Sequence, residues 1–493
     1  MLITVILLVI IFVLTFLLGI YHYSTGGRKY WEKRNVPYRE PCPIFGNFGA
    51  TLTMRKSYAD TLQVLYHKFR QEKYVGIFQA RRPTLMIIDL DIVKNICTKE
   101  FQCFSDRISA NTDIKREPLL RNLANMSGSE WKSMRQIVTP TFSSAKMKAM
   151  FPLIAECAET LKSVLLQGSL EEVDVPDLMS RYTTDVIGSC AFGVNPDSLK
   201  NADSPFLKMA QKALEPSRSR ILKRYTRTFF PRLFRMLNLV SYSREIEVFF
   251  TRIIKQVLDE RRNTGFERHD FLQLMLNVQK THLNGFQMTD DLITSNSYIF
   301  MLAGLETSAT TLSFCLYHLA KNKELQDQLR NEIKEKLTQF GELNYDAAVS
   351  MKLLLQVMCE TLRLHPPTPL TTRLCTSSCA LPGTDLQLKM KENVLIPICC
   401  IQRDPAHFAD PDTFDSERFA NDAHPAGFIA FGDGPRSCPG GRFAQLIVVA
   451  SLTVILSTFE VEPCGRTSSK LEYHPRSVML KNKEGIFLKF NKL

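Results

Sequence analysis

The hydrophobic pattern of the chain begins with one long apolar segment. The first 20 residues, MLITVILLVIIFVLTFLLGI, carry no charge, and a helix of that length spans roughly 30 Å, the thickness of the hydrocarbon core of a bilayer. A cleaved signal peptide is disfavoured, because no basic residue precedes the run and no A-x-A site follows it. We therefore predict a transmembrane signal anchor over residues 1–21.

A basic and proline-rich segment follows, over residues 22–49. Its positive charges, such as Arg28 and Arg34, lie after the apolar run, and the positive-inside rule then places the rest of the chain in the cytoplasm. Pro37 and Pro41 forbid a continuous helix. The pattern predicts a stiff hinge between the anchor and a globular part.

Residues 50–493 show no linker, no repeat and no abrupt change of composition, which favours one large domain. Two strand-like runs, YVGIFQA and TLMIIDL, flank a turn around Arg81–Pro83, whereas the middle of the chain follows a helical period. With 45% hydrophobic and 23% charged residues and a mean hydropathy of -0.09, the chain can bury a large core. We predict a mainly α fold with small β-sheets.

One predicted helix is unusually long. Thr289 is a suitable N-cap before acidic first-turn residues, and the helix could extend past Leu319. It contains AGLETS, residues 303–308, in which the glycine costs about 1 kcal/mol against alanine and the Thr307 hydroxyl can donate to the Ala303 carbonyl. The two features indicate either a local opening of the helix or an ordinary packing contact.

Charge and cysteine content narrow the function class. The net charge of +12, from 62 basic and 50 acidic residues, is spread along the chain, which fits an acidic protein partner or an anionic membrane surface. No nucleic-acid-binding signature accompanies it, so we expect no nucleic-acid partner. Thirteen irregularly spaced cysteines are unlike a secreted disulfide scaffold and indicate reduced thiols in the cytosol.

The stretch FGDGPRSCPGGRFAQ places one cysteine, Cys438, just before an apolar run. A thiolate is stabilised at a helix N-terminus, and Pro439 suits the first helical position. Gly434 and Gly440 permit close backbone approach to a flat, bulky group, and Arg436 adds a positive charge. The sulfur is therefore expected to be a ligand or a nucleophile.

Three chemistries are available to this sulfur. A nucleophile needs a histidine base, and neither His424 nor another histidine forms a recognisable Cys/His signature. A zinc site needs partner ligands, and the Cys375-x3-Cys379 pair after a proline-rich turn is more typical of buried sulfur. An iron porphyrin needs only one thiolate from the protein.

The loop resembles a known family. FGDGPRSCPG is similar to the F-x-x-G-x-R-x-C-x-G haem-binding loop of the cytochrome P450 family, the haem-thiolate monooxygenases. Four other motifs of that family precede the loop in the family's order: W-x-x-x-R at Trp131 and Arg135, A-G-x-E-T at 303–307, E-x-x-R at Glu360 and Arg363, and FDSERF at 414–419. The pattern most resembles the insect microsomal branch that handles foreign chemicals and hormones.

The resemblance implies a role for each matching position. Cys438 would be the iron ligand, donating electron density that favours O–O cleavage. The other expected haem contacts are Trp131, Arg135, Arg373, Arg436, Phe431, Gly434 and Gly440. Glu360, Arg363 and Arg418 would form an internal ion-paired structural motif. Glu306 and Thr307 would be the catalytic pair that delivers protons during oxygen activation. The expected substrate pocket comprises the segment between Phe104 and Ala124, Ile299, Ala303, the segment Thr368–Thr372 including Thr371, Ser477 and Val478.

The resemblance also implies the cofactors and partners. The cofactor would be haem b, iron protoporphyrin IX. Because the chain has no G-x-G-x-x-G or flavin fingerprint, electrons would come from NADPH through a separate NADPH-cytochrome P450 reductase, sometimes helped by cytochrome b5. Basic residues that could contact the reductase are Lys132, Lys146, Lys148 and Arg442.

Location and substrate class follow in the same way. The protein would be a single-pass endoplasmic reticulum protein with its catalytic domain on the cytoplasmic side. Its substrate would be a lipophilic small molecule such as a xenobiotic, an insecticide, a hormone or a terpenoid or steroid. Residues 225–237 either make a second membrane contact, as aromatic residues between arginines allow, or pack in the core.

Departures from the family pattern leave the ligand and the charges in place. They are Ala430, Ser416, Ala444 and Pro439, which affect the fine geometry of the thiolate loop and its redox potential. Two other functions are compatible with the loop and the anchor: a haem-thiolate isomerase or dehydratase on the same fold, which needs no delivered electrons, and a non-catalytic membrane haem-binding protein. The Glu306–Thr307 pair favours the monooxygenase.

Overall fold

A computed structural model describes residues 2–107, 113–281, 286–421 and 424–493. The predicted fold class is confirmed, because helices dominate and the strands form small sheets. The helices of the described residues are α1 (Leu2–Thr25), α2 (Gly49–Leu52), α3 (Tyr58–Lys68), α4 (Leu90–Cys97), α5 (Gly128–Val138), α6 (Ser144–Gln167), α7 (Val175–Ile187), α8 (Pro205–Leu214), α9 (Arg218–Phe229), α10 (Pro231–Met236), α11 (Arg244–Thr264), α12 (Phe271–Thr281), α13 (Asp290–Ala320), α14 (Lys323–Phe340), α15 (Tyr345–Ser350), α16 (Lys352–Leu364), α17 (Ile398–Ile401) and α18 (Gly441–Leu456).

The strands of the described residues are short and form three sheets. They are β1 (Tyr74–Gln79), β2 (Arg82–Ile87), β3 (Val173–Asp174), β4 (Thr371–Leu374), β5 (Cys379–Ala380), β6 (Gln387–Leu388), β7 (Asn393–Ile396), β8 (Phe459–Pro463) and β9 (Phe487–Lys492). The largest sheet has the order β1-β2-β7-β4, with β2 and β7 parallel and the other pairs antiparallel. The two strand-like runs of the sequence are its hairpin, and the turn between them falls at Ala80 and Arg81, one residue earlier than predicted.

Within the described parts of the chain, the hydrophobic core has two parts. The larger part is helical and gathers side chains from α5, α6, α7, α13, α16 and α18, while the smaller one surrounds the β1-β2-β7-β4 sheet. Nearly every residue of α18 after Phe443 is buried, as expected of a helix that is apolar on all sides. The candidate site lies where the two parts meet.

Helix α13 forms as predicted. The Thr289 hydroxyl caps it by accepting from the Leu292 backbone N–H, and the helix runs without interruption through AGLETS. The Thr307 hydroxyl donates to the Ala303 carbonyl. A Cβ on Gly304 would lie 2.5 Å from Cδ1 of Ile187 on α7, so this glycine permits close packing of two helices and the helix does not open there.

The predicted hinge is partly built into the globule. Trp31, Val36 and Phe48 are buried in the sheet core, and the Trp31 indole N–H donates to the Ile77 carbonyl at 3.2 Å. The Trp31 ring also packs directly on Gly76, where a Cβ would collide with it. The globular part therefore begins well before the predicted boundary at residue 50, because aromatic residues of the hinge cover one face of the sheet.

The apolar N-terminal helix and the buried helix α13 differ in their surroundings. Large apolar side chains of α1 are exposed, among them Leu8 at 62% and Phe12 at 69%. Among the described residues, α13 is the helix that is long and apolar enough to cross a membrane, but 67% of its most apolar 18 residues are buried in protein, so it is a core helix. The apolar stretch of α1, Leu2–Thr15, is shorter, and the anchor at residues 1–21 remains a prediction.

The segment 225–237 is divided between core and surface. Phe229 and Phe234 are buried, which favours core packing, the second of the two interpretations, for these side chains. Leu233 and Leu237 are instead 40% and 54% exposed. The alternation of burial arises because α9 and α10 each turn one apolar edge toward the protein.

Candidate functional site

A cavity of about 510 Å³ lies between α13 and the loop that carries Cys438. Its size falls within the range of small-molecule and cofactor sites, roughly 300–1,000 Å³. Apolar side chains provide most of the lining, including Phe142 of the segment after α5 and Phe300 of α13. Cys438 and Thr307 both line it, so the cavity joins the predicted ligand to the predicted catalytic helix.

The side chain of Cys438 lines the cavity and is exposed there. The Cys438 backbone N–H donates to the Phe431 carbonyl at 2.8 Å, which folds the loop into a tight turn. Burial raises the pKa of the Cys438 thiol, while the Gly440 backbone N–H and the charges of Arg107 and Arg135 oppose the rise. A metal ion would deprotonate such a thiol outright.

Two details of the loop differ from the predictions. Helix α18 begins at Gly441 with Gly440 as its N-cap, so Pro439 lies before the cap rather than at the first helical position. Gly434 has a φ of +66°, and a Cβ there would collide with the Cys97 carbonyl. Its close approach is therefore to the end of α4, and Gly434 does not line the cavity.

Basic side chains crowd the cavity wall beside Cys438. Arg135 donates to the Ser437 carbonyl at 2.9 Å, and the Arg436 guanidinium lies 4.0 Å from the centroid of the Trp131 ring. Arg436 also donates to the Ser105 and Met126 carbonyls, at 2.8 and 3.0 Å. These contacts fix Trp131, Arg135 and Arg436 along one wall.

The predicted contact Arg373 lies just behind this wall. It is 1% exposed, belongs to β4 and donates to the Thr371 hydroxyl and the Thr372 carbonyl, but it does not line the cavity. Arg107, which no motif of the sequence identified, does line it and donates to the Arg436 carbonyl at 3.0 Å. Only the fold brings Arg107 here, so we find no sequence signal for it beyond its place in the predicted pocket segment.

The described residues beside this wall do not provide enough carboxylates to pair with all of its guanidinium groups. Asp106 is the carboxylate that pairs with Arg436, at 3.4 Å. Among the described residues, Nε of Arg107, Nε of Arg373 and Nη1 of Arg436 are buried with no hydrogen-bond partner. Burial and then repulsion between neighbouring guanidinium groups lower the pKa of Arg107 to about 10 and that of Arg436 to about 9. The site therefore fits an anionic ligand that reaches this wall.

The cavity-lining face of α13 carries Ile299, Ala303 and Thr307, which are spaced by one turn each. Thr371 also lines the cavity, from β4. Val478 does not, and it is 40% exposed, because it lies at the outer tip of the segment 472–483. Residues 108–112 of the predicted pocket segment Phe104–Ala124 lie outside the described residues.

Glu306 does not join Thr307 at the cavity. Its side chain is 9% exposed and forms an ion pair with Lys481, with 2.6 Å between Oε1 and Nζ. Glu306 is absent from the lining of the cavity, because it lies just beyond the edge of the helix face that Ile299, Ala303 and Thr307 present to the cavity. Its predicted part in proton delivery would require the carboxylate to leave Lys481.

The acidic residue of the E-x-x-R motif lies in a buried charge network away from the cavity. Arg363 donates to both carboxylate oxygens of Glu360, at 2.6 and 2.8 Å, and both side chains are fully buried. Arg418 lies 3.5 Å from Glu360. Arg363 also donates to the carbonyls of Gln402 and Pro411, so the network ties α16 to the segment that leads to the Cys438 loop.

The four predicted reductase contacts are exposed near the starts of α5, α6 and α18. Arg442 lies 3.3 Å from the Ser144 hydroxyl, which joins the N-termini of α6 and α18. Lys148 is already paired with Asp346, at 2.5 Å. All thirteen cysteines are free, and no group of three or more His, Cys, Asp or Glu residues in the described parts of the chain is placed to hold a metal ion.

Comparison with known proteins identifies the family. The family model described as Cytochrome P450 matches residues 36–490. The chain belongs to the cytochrome P450 family. It is 34% identical to cytochrome P450 6a2 of Drosophila melanogaster, over 94% of this chain and 96% of that protein. It is 32% identical to cytochrome P450 6k1 of Blattella germanica, over 97% and 96% of the two chains, and 33% identical to cytochrome P450 9e2 of the same species, over 91% of each.

The predicted family and its insect branch are thereby confirmed. Membership makes this P450 a haem-containing, iron-dependent monooxygenase of the oxidoreductase class. The residues present fit that group: one thiol faces the cavity, and a wall of partly unpartnered guanidinium groups suits two carboxylates on one side of a flat ring. Cys438 would hold the iron, and Trp131, Arg107, Arg135 and Arg436 would hold the propionates.

Proposed function

We propose that this P450 inserts one oxygen atom from O₂ into a lipophilic small molecule, with electrons from NADPH delivered by a separate reductase. The observation that carries the proposal is the cavity, which is mostly apolar and opens between Cys438 and Thr307. Haem, when bound through the Cys438 thiolate, supplies the iron that activates O₂. The substrate class, the electron donor and the location are all part of the proposal.

The substrate side of the cavity is apolar, so it would select a ligand by shape rather than by charge. Ile299, Phe300 and Leu370 line it, and the described lining residues include no carboxylate. Xenobiotics, insecticides, hormones and terpenoids or steroids match this chemistry, because an apolar wall favours a ligand that loses little hydration on entry. The names of cytochrome P450 6a2 and cytochrome P450 6k1 state no substrate.

Proton delivery is assigned to Thr307. Its hydroxyl donates to the Ala303 carbonyl and lines the cavity, so its oxygen is free to accept a hydrogen bond from water. A water molecule held there would be oriented to supply protons as O₂ is reduced. The oxygen of Thr307 is the atom at which we expect this proton path to be controlled.

Electrons are proposed to arrive on the Cys438 side, from NADPH-cytochrome P450 reductase, sometimes helped by cytochrome b5. Lys132, Lys146 and Arg442 are exposed on that side and would attract an acidic protein surface. The exposed apolar helix α1 supports a membrane anchor, so we place the protein in the endoplasmic reticulum membrane with the globule in the cytoplasm. The exposed Leu233 and Leu237 would add a weak second contact.

The proposal is tested by reconstitution. Reduced protein with carbon monoxide should show the Soret band of a thiolate-ligated haem, and Cys438→His should abolish it. With purified reductase, a ligand found by a binding-spectrum screen of steroids, fatty acids, terpenes and insecticides should yield an oxygenated product at the expense of NADPH. A product without NADPH use would identify an isomerase or dehydratase, and haem binding without any product would identify a haem-binding protein.

A further inference from the structure

The ion pair between Glu306 and Lys481 connects two parts of the chain beside the cavity. The Glu306 carboxylate is 9% exposed, the Lys481 ammonium is 40% exposed, and their atoms lie 2.6 Å apart. On a helix with about 100° per residue, Glu306 lies about 20° from Ile299, just beyond the edge of the lining face. It is therefore a neighbour of the cavity and not part of its wall.

Lys481 belongs to a short hairpin, residues 472–483, here called the C-terminal hairpin. Its two arms are joined by backbone hydrogen bonds from His474 N–H to the Lys481 carbonyl, at 2.8 Å, and from Lys483 N–H to the Glu472 carbonyl, at 2.7 Å. The hairpin also donates the Leu480 N–H to the carbonyl of Pro367, at 3.0 Å. Pro367 lines the cavity, so the hairpin is hydrogen-bonded to one segment of the cavity wall.

A third element reaches the same carboxylate. Burial lowers the pKa of Arg224 on α9, and the charge of Glu306 opposes that lowering, which indicates that the two side chains are close. Glu306 thus lies between cations from α9 and from the C-terminal hairpin. The two cations stabilise the negative charge of the Glu306 carboxylate in its present position. Turning the side chain toward the apolar cavity would move the carboxylate away from both cations.

We propose that Glu306 and Lys481 form a clasp that ties the C-terminal hairpin to α13 and so positions the substrate-side wall of the cavity. In this assignment Glu306 and Lys481 act as positioning residues through their ion pair. The inference rests on the proposed function in one respect, which is that the cavity holds a lipophilic ligand. It is separate from the proton-delivery role that the resemblance implies for Glu306.

Two readouts test the clasp in the full-length haem protein. In Glu306→Gln and in Lys481→Gln, amide hydrogen exchange of residues 472–483 should become faster than in the wild type. The affinity for 4-phenylimidazole, measured by the Soret shift that its nitrogen causes, should fall by roughly two- to fivefold, as expected for a partly exposed ion pair. Unchanged exchange and unchanged affinity in both variants would overturn the proposal.

A matched control lies on the same hairpin. Lys483 pairs with Glu472, at 3.4 Å, and this pair does not reach α13. Lys483→Gln removes the same charge from the same hairpin and should leave the affinity for 4-phenylimidazole unchanged. An equal loss of affinity in Lys483→Gln would mean that net charge, and not the clasp, controls binding.

A charge swap tests whether the ion pair itself is responsible. The double variant Glu306→Lys with Lys481→Glu should recover most of the affinity and the slow amide hydrogen exchange of the wild type, because the ion pair is rebuilt in reverse. A double variant with affinity and hydrogen exchange no better than those of the single variants would contradict the clasp. If the exchanged variant fails to fold, the single variants still decide.

Failure of the proposed function would be recognised separately. The amide hydrogen exchange measurement needs no substrate and no reductase, so it reports on the clasp even if the protein proves not to be a monooxygenase. The converse result is a wild-type protein that couples NADPH oxidation to product formation while neither substitution changes hydrogen exchange in the hairpin. That result would support the proposed function and contradict the clasp.

Discussion

At the scale of single residues, the site is governed by a shortage of negative charge. Arg107, Arg373 and Arg436 each retain a buried nitrogen without a partner among the described residues, and such groups cost about 1–3 kcal/mol each when left unpaired. Two carboxylates would satisfy them, which is why the wall fits haem propionates. The same argument explains why Arg107 belongs with the arginines that the motifs identified.

The first prediction concerns Thr307. Thr307→Ala should keep haem, the carbon-monoxide band and ligand binding, because the side chain is small and makes its hydrogen bond within α13. Product formed per NADPH should fall by about tenfold and peroxide should rise, since water in the cavity loses the group that orients it. The measurement is product and peroxide per NADPH with the same reductase.

Ser313→Ala is the matched control for Thr307→Ala. The Ser313 hydroxyl also donates one turn back on α13, to the Ala309 carbonyl at 2.7 Å, but it does not line the cavity. It should therefore leave coupling unchanged. If Thr307→Ala couples as well as the wild type, Thr307 is only a helix residue.

Motifs predicted which residue types surround the cavity better than they predicted where each side chain points. Cys438, Trp131, Arg135 and Arg436 meet at one wall because each lies in a short pattern with a fixed spacing. Arg107 was missed because its neighbours in space are distant in sequence. Glu306 and Thr307 form one catalytic pair in the sequence motif, but residues that are adjacent in sequence do not share one helix face.

At the scale of elements, α13 joins the cavity to a buried polar cluster near its C-terminal end. His318 of α13 and His365, which follows α16, lie 2.9 Å apart through their Nε2 atoms, and His365 Nδ1 lies 3.0 Å from the Tyr473 hydroxyl. His365 stacks on Phe314 and His318 stacks on Phe414. The sequence contains no pattern for this cluster, because its members come from separate segments.

The second prediction follows from the charge state of this histidine pair. Burial first, then the charges of Lys321, Arg403 and Arg363, lower the pKa of His318 to about 3, and burial lowers that of His365 well below its usual range. Both imidazoles stay neutral when folded but take up protons near pH 6.5 when unfolded. The unfolded chain therefore binds more protons between about pH 6.5 and pH 3, and stability must fall as pH decreases through that window.

His318→Gln should reduce this pH dependence by about one proton, while lowering stability at pH 7.5 through the lost ring stacking. The measurement is the temperature of haem loss from pH 7.5 to pH 5. His67→Gln, at an exposed position of α3, should keep the wild-type slope. An unchanged slope in His318→Gln would show that the pair is not held neutral.

At the scale of the whole molecule, the globule is joined closely to the segment that precedes it. The predicted hinge combines exposed basic residues with Trp31, Val36 and Phe48, which are buried in the sheet core. The prolines and charges of this segment predict a spacer well, but composition alone does not reveal which aromatic residues find a partner. Here Gly76 of β1 leaves the space that the Trp31 ring fills.

The last prediction separates the anchor from the globule. Deleting residues 1–20 should leave haem binding and the carbon-monoxide band intact, because the side chains of that stretch whose surroundings are described are exposed, and weak membrane association should persist. Deleting residues 1–49 should instead abolish haem binding, because it removes Trp31, Val36 and Phe48 from the core.

Trp31→Ala alone should cost about 3–5 kcal/mol of stability, whereas Lys33→Ala, at an exposed neighbouring position, should cost almost nothing. Thermal loss of the carbon-monoxide band measures all four. If the 1–49 deletion retains the band at the wild-type temperature, the hinge is a spacer throughout; if the 1–20 deletion loses it, the N-terminal helix belongs to the fold.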